Sequence, residues 1–161
     1  MNRALKLRKH YFNGYYYILP EIGDRVPVIQ DKSKLCYNMA FVMEMLRFRN
    51  PTPLSVFHKA LVDCKLGPFN IPKNTQVVLH QAGILMNEQY WCEPNQFKPE
   101  RFLDKHGQFL DTKHSAYIPF SCGRRICPGE QLAITDLFLS LVRFIQLTSS
   151  YRIEFYNEHV I

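Results

Sequence analysis

Apolar residues recur at helical spacing in two stretches of this 161-residue chain. The clearer one begins at Glu130: Ile134, Leu137, Phe138, Leu141, Val142 and Ile145 form a stripe, with Asp136, Arg143 and Gln146 off it. That is the period of a helix with one buried face, and Glu130 in the first turn suits the positive end of the helix dipole. The second stretch carries Leu35, Met39, Val42, Met43 and Leu46 and predicts a helix with Ser33 as its N-cap. This helix should end before Asn50-Pro51, because the residue preceding a proline is pushed out of the helical region. Between Leu54 and Leu79 the texture is β-like. It is broken by Phe69-Asn70-Ile71-Pro72-Lys73-Asn74 and resumed by Thr75-Gln76-Val77-Val78-Leu79, which predicts short hairpin strands. From Trp91 to Ser115 the chain is loop-rich, punctuated by Pro94, Pro99 and Gly107. Residues 1–20 are basic and then aromatic, with no clean period. The pattern as a whole predicts a mixed fold, mainly α with small β-sheets.

Composition narrows the picture. The length suits one domain, and with 47% hydrophobic residues there is material for a core. A net charge of +6 is modest, and no Lys/Arg run is interleaved with aromatics, so a nucleic-acid partner is not expected. Five scattered cysteines (Cys36, Cys64, Cys92, Cys122, Cys127) point to a reducing compartment rather than a disulfide framework. Cys122 and Cys127 have no second pair, which argues against structural zinc. No signal peptide is visible, and no apolar run approaches the ~20 residues that span a membrane.

The candidate chemistry lies in Phe120-Ser121-Cys122-Gly123-Arg124-Arg125-Ile126-Cys127-Pro128-Gly129. Cys127 stands between a glycine-bearing turn and the start of the last helix, where the dipole favours negative charge and hence a thiolate. Arg124 and Arg125 add positive charge suited to acidic groups on a cofactor or to an acidic protein surface. Gly123 and Gly129 permit close backbone approach, and Pro128 fits the entry to a helix. A lone cysteine in a basic loop is most often an inert structural thiol. Here the whole pattern, not the cysteine alone, carries the signal.

The order Phe-x-x-Gly-x-Arg-x-Cys-x-Gly is met by Phe120, Gly123, Arg125, Cys127 and Gly129, and the chain resembles the haem-binding end of a cytochrome P-450. Two further segments carry the resemblance. Glu44-Met45-Leu46-Arg47 matches the family's Glu-x-x-Arg, and Pro99-Glu100-Arg101-Phe102 matches its Pro-Glu-Arg-Phe. Trp91, Pro94 and Phe97 match the spacing of the loop before Pro99, and the match runs from about Glu21 to Phe155, leaving residues 1–20 as a poorly matched segment.

The resemblance implies the C-terminal portion of that fold over residues 21–161: Glu-x-x-Arg helix, β-hairpins, meander loop, cysteine loop and last long helix. It implies haem b (iron protoporphyrin IX) as cofactor, with Cys127 as axial iron ligand and no other catalytic residue within these residues. Arg125 and His58 would hold haem propionates, although a lone histidine is more often structural. Phe120 and Gly129 would shape the loop, and Ala133 would pack against the porphyrin. Glu44, Arg47 and Arg101 would form a structural triad that holds the cysteine loop, and Leu54, Ser55, Val56 and Phe57 could line the pocket floor. The activity implied is hydroxylation of a small lipophilic substrate such as a steroid, fatty acid or xenobiotic. It would use O2 and electrons from an NADPH-dependent flavoprotein reductase, at the cytoplasmic face of the endoplasmic reticulum membrane. The family's N-terminal membrane anchor is missing from these residues. Its oxygen-activating helix is also missing: Ala82-Gly83-Ile84-Leu85-Met86 begins similarly but lacks the acid and the threonine. The chain is thus expected to be about the last third of such an enzyme, with little activity alone. The alternative is a non-catalytic, truncated haem-binding or vestigial protein.

Overall fold

The computed structural model describes residues 18, 20–110 and 114–148. Residues 1–17 and 19 therefore lie outside the described residues, as does the end of the resembling region beyond residue 148. The described elements are a 3-10 turn Ile29–Ser33, helix α1 (Cys36–Phe48), strands β1 (His58–Lys59), β2 (Cys64–Leu66), β3 (Phe69–Ile71) and β4 (Gln76–Val77), helix α2 (Gln81–Leu85), 3-10 turns Pro99–Phe102 and Gly123–Arg125, and helix α3 (Glu130–Thr148). A mainly helical chain with small antiparallel sheets is what the apolar pattern predicted. The chain divides into two compact units.

Among the described residues, the first unit comprises 18, 20–44, 98–110 and 129–148. Its described core includes Leu35, Ala40 and Val42 of the first segment, Phe102 of the second, and Ile134, Phe138, Val142 and Ile145 on one face of α3. Leu137 and Leu141, on the edge of that stripe, are half-buried. Polar links reinforce the packing. Lys32 Nζ donates to Thr135 Oγ1 at 2.7 Å, and Gln146 Nε2 to the carbonyls of Gly23 and Arg25 at 2.7 and 3.0 Å.

The start of α1 differs from the sequence expectation. Ser33 closes the preceding 3-10 turn, its hydroxyl donating back to the Gln30 carbonyl at 3.0 Å, and the helix begins at Cys36. The cause is Asp31. Its carboxylate accepts the Val28 N–H at 2.8 Å and is bridged by the Arg25 guanidinium, so a tight turn closes before the helix can start. The other end is as predicted, with α1 stopping at Phe48 before Asn50-Pro51.

α3 also corrects an expectation. It is long and apolar enough to cross a membrane by length and composition alone, whereas the sequence suggested no such run. Its buried residues nevertheless fall on one face, as in a helix packed against protein.

Among the described residues, the second unit comprises 45–97 and 114–128. β1 pairs antiparallel with β4 (His58 with Val77, Lys59 with Gln76), and β2 with β3 (Cys64 with Ile71, Leu66 with Phe69). Phe69–Ile71, read from sequence as an interruption, is therefore a strand. The reversal lies one step earlier, at Gly67-Pro68, where Gly67 takes φ +58°, a conformation open to glycine. The stretch 82–86 lies mostly in α2, a five-residue helix with Gln81 and Leu85 buried, not in a long helix. Trp91 is buried, edge-on to Tyr117 with ring centroids 6.4 Å apart.

Candidate functional site: the cysteine loop and its supports

The loop begins with a turn. Ser121 N–H bonds to the Ile118 carbonyl at 3.0 Å across Pro119 and Phe120, proline being favoured early in such turns. Ser121 then takes φ +69° and Gly123 φ +71°. Glycine tolerates that region, whereas a serine there costs roughly 1 kcal/mol and persists only where its surroundings enforce it. The 3-10 turn Gly123–Arg125 follows, and Ile126 N–H closes it on the Gly123 carbonyl at 3.2 Å. Cys127 N–H returns to the Phe120 carbonyl at 3.0 Å, so residues 120–127 form a closed loop. Cys127 carries a free, exposed thiol, and Arg124 and Arg125 are exposed on the same turn. The Cys127 backbone N–H is thus taken up within the loop itself. Phe120 is half-buried.

Two amide side chains grip the loop's root. Gln81 Nε2 donates to the Ile118 carbonyl at 2.8 Å and Asn50 Nδ2 to the Pro119 carbonyl at 3.3 Å. Sequence reasoning missed both, because each reaches a carbonyl 37 or 69 residues away and no local pattern marks such a contact. The one available signal was Gln81, a polar residue at a buried helical position.

Of the proposed supporting charges, Glu44 and Arg47 are buried and Arg101 is half-buried. In the first unit, Glu44 accepts the Lys98 N–H at 2.8 Å and the Arg101 Nε–H at 3.4 Å through Oε1. In the second, Arg47 is 1% exposed and donates to the carbonyls of Leu85 at 2.8 Å and Pro94 at 2.9 Å. Its guanidinium also lies 5.3 Å from the Trp91 ring centroid. The structure thus brings Glu44 to Arg101, and sets Arg47 between the last carbonyl of α2 and that of Pro94 in the following loop.

The remaining predicted residues sit as follows. His58 is half-buried in β1, opposite Val77. Gly129 accepts the Ala133 N–H at 2.9 Å, which makes it the cap of α3, and Ala133 is half-buried one turn in. Leu54, Val56 and Phe57 are 51%, 77% and 69% exposed. No group of three His, Cys, Asp or Glu side chains able to hold a bare metal ion occurs among the described residues.

The sequence profile of the family described as Cytochrome P450 matches residues 19–156, most of the chain. The chain belongs to the cytochrome P450 family. Curated relatives agree. It is 41% identical over 122 residues to a steroid 17-alpha-hydroxylase/17,20 lyase of Rattus norvegicus, covering 76% of this chain and 24% of that protein. The enzymes of the same name from Ovis aries and Squalus acanthias are 40% and 38% identical over 123 and 116 residues. These matches cover 76% and 72% of this chain and 24% and 23% of those proteins. The chain thus spans about a quarter of the length of the curated P450 relatives it matches.

Proposed function

We propose that these residues are the haem-binding part of a haem-thiolate monooxygenase, with Cys127 as the axial ligand of haem b. The observation that carries this reading is the closed loop 120–127, which presents one free, exposed thiol beside two exposed arginines. That donor set fits the group. Haem would be held by a single thiolate, which Cys127 offers, and its propionates by cations, which Arg125 offers. Among the described residues there is no competing cluster.

When bound, haem supplies iron-centred activation of O2 for insertion into a C–H bond. The chain's own residues hold it. Cys127 presents its sulfur, and the Phe120 carbonyl fixes the cysteine backbone. Arg125 offers a planar fork to a propionate, with His58 as a second propionate partner. Within the first unit Glu44 ties the helix to Arg101, and within the second Arg47 ties it to the Leu85 and Pro94 carbonyls.

The substrate of the whole protein is a small lipophilic molecule, and the steroid-acting relatives make a steroid the class to test first. Its electron donor is an NADPH-dependent flavoprotein reductase, which the exposed Arg124 and Arg125 could face. Its location is the cytoplasmic face of the endoplasmic reticulum membrane.

Titration of the chain with ferric haem tests the reading. One equivalent should bind, with a sulfur-ligand absorption spectrum that Cys127→Ser abolishes. Arg125→Leu should weaken binding about tenfold, the scale of one charge-assisted hydrogen bond. Haem taken up equally by wild type and Cys127→Ser, with the same spectrum, would overturn the assignment.

A further inference from the structure

Ser121, without glycine's freedom, holds φ +69°, and the loop from Cys122 to Pro128 is exposed throughout. A strained, solvated loop keeps one conformation only when anchored from outside. The anchors are side-chain amides on two consecutive carbonyls at the loop's root: Gln81 on Ile118 and Asn50 on Pro119.

Each amide is itself fixed. Gln81 is 2% exposed at the start of α2, and the next residue's N–H, at Ala82, bonds to the Pro53 carbonyl at 3.0 Å. Asn50 Oδ1 accepts both the backbone N–H and the hydroxyl of Thr52, at 2.7 and 3.0 Å. Those two bonds assign oxygen and nitrogen and turn the amide's N–H2 toward Pro119. The segment after α1 and the start of α2 are thus tied to one another and together grip the loop.

We propose that Asn50 and Gln81 are positioning residues of the cysteine loop. They pin Ile118 and Pro119, and so hold Ser121 in its left-handed conformation and the Phe120 carbonyl where it takes the Cys127 N–H. Neither residue belongs to the haem-loop motif. Both act through the backbone, at carbonyls nine and eight residues before Cys127. Their consequence for the thiol rests on the assignment of Cys127 as haem ligand, but their grip on the loop does not.

Amide hydrogen exchange of the full chain without haem separates the two. Asn50→Asp keeps the Thr52 bonds and removes the donor, and Gln81→Met keeps the buried volume and removes the amide. Each should speed exchange at the Cys127 amide about fivefold, the factor of one net hydrogen bond, and the double variant more. Exchange at paired amides of β1–β4 and at the end of α1 should stay at the wild-type rate. Alkylation of the Cys127 thiol should quicken in parallel. A wild-type rate at Cys127 in both single variants overturns the proposal, as does an increase spread equally through the second unit. If Gln81→Met fails to fold, the Asn50 arm still decides, since Asn50 is only half-buried and its partner Thr52 is a surface residue. Haem binding by the wild-type chain, measured separately, reports on the ligand assignment alone.

Discussion

At the scale of single residues the chain concentrates its energetic stakes in a few buried polar groups. Glu44 is 0% exposed and binds Arg101 and the Lys98 N–H. Glu44→Gln should cost about 3 kcal/mol by chemical denaturation, because it strands a largely buried cation. Arg47→Met should cost a similar amount, about 3 kcal/mol, by leaving the Leu85 and Pro94 carbonyls without their donor. Asn38 is the opposite case. It is 1% exposed, and neither side-chain amide atom has a hydrogen-bond partner among the described residues. Asn38→Leu should therefore stabilise the chain by about 1–2 kcal/mol, and an unchanged or lower melting temperature would contradict that account. Glu44, Arg47, Arg101 and Cys127 were legible because their residue types and spacing carry the family's pattern. Asn38, Asn50 and Gln81 were not, since their importance comes from what the tertiary fold places beside them.

At the scale of elements, the two helices were legible and their beginnings less so. The α3 stripe needs no tertiary information, and its centre is the place to test it. Phe138 is 0% exposed, and Phe138→Ala should cost about 3–5 kcal/mol, whereas the same change at Phe144, 49% exposed, should cost much less. The start of α1 was misread because Ser33 looks like a cap, while Asp31 three residues earlier forms the decisive turn. Strand β3 was misread because Pro72 and Asn74 suggested a break, when the reversal uses Gly67.

Asp31 also gives a pH prediction. The hydrogen bonds from the Arg25 guanidinium, and then the one from the Val28 N–H, hold its carboxyl below the usual carboxylate range. A carboxylate depressed on folding adds stability that is complete above its unfolded value of 3.8 and is lost as pH falls through the lower folded value. The wild-type advantage over Asp31→Asn should thus be constant near neutrality and shrink below about pH 4, as read from melting temperatures. An advantage that grows on acidification would refute it.

At the scale of the whole molecule, the exposed apolar surface stands out. In the second unit, Val56, Phe57, Leu61, Val62, Leu66 and Phe69 are each 63–80% exposed. Apolar exposure on this scale marks a face open to contact with another apolar surface. The chain should therefore bind an environment-sensitive hydrophobic dye strongly, and Leu61→Lys with Phe69→Lys should reduce that binding; dye binding unmoved by these changes would place the apolar surface elsewhere. The division into two units was not legible, because α1 runs through both and its apolar stripe is continuous in sequence.

The closed loop 120–127 is proposed to present the Cys127 sulfur to haem iron. X-ray absorption at the iron edge of the haem-loaded chain tests it most directly. A sulfur neighbour in the first shell, lost in Cys127→Ser, is the predicted result; a first shell of nitrogen and oxygen alone in the wild type would contradict it.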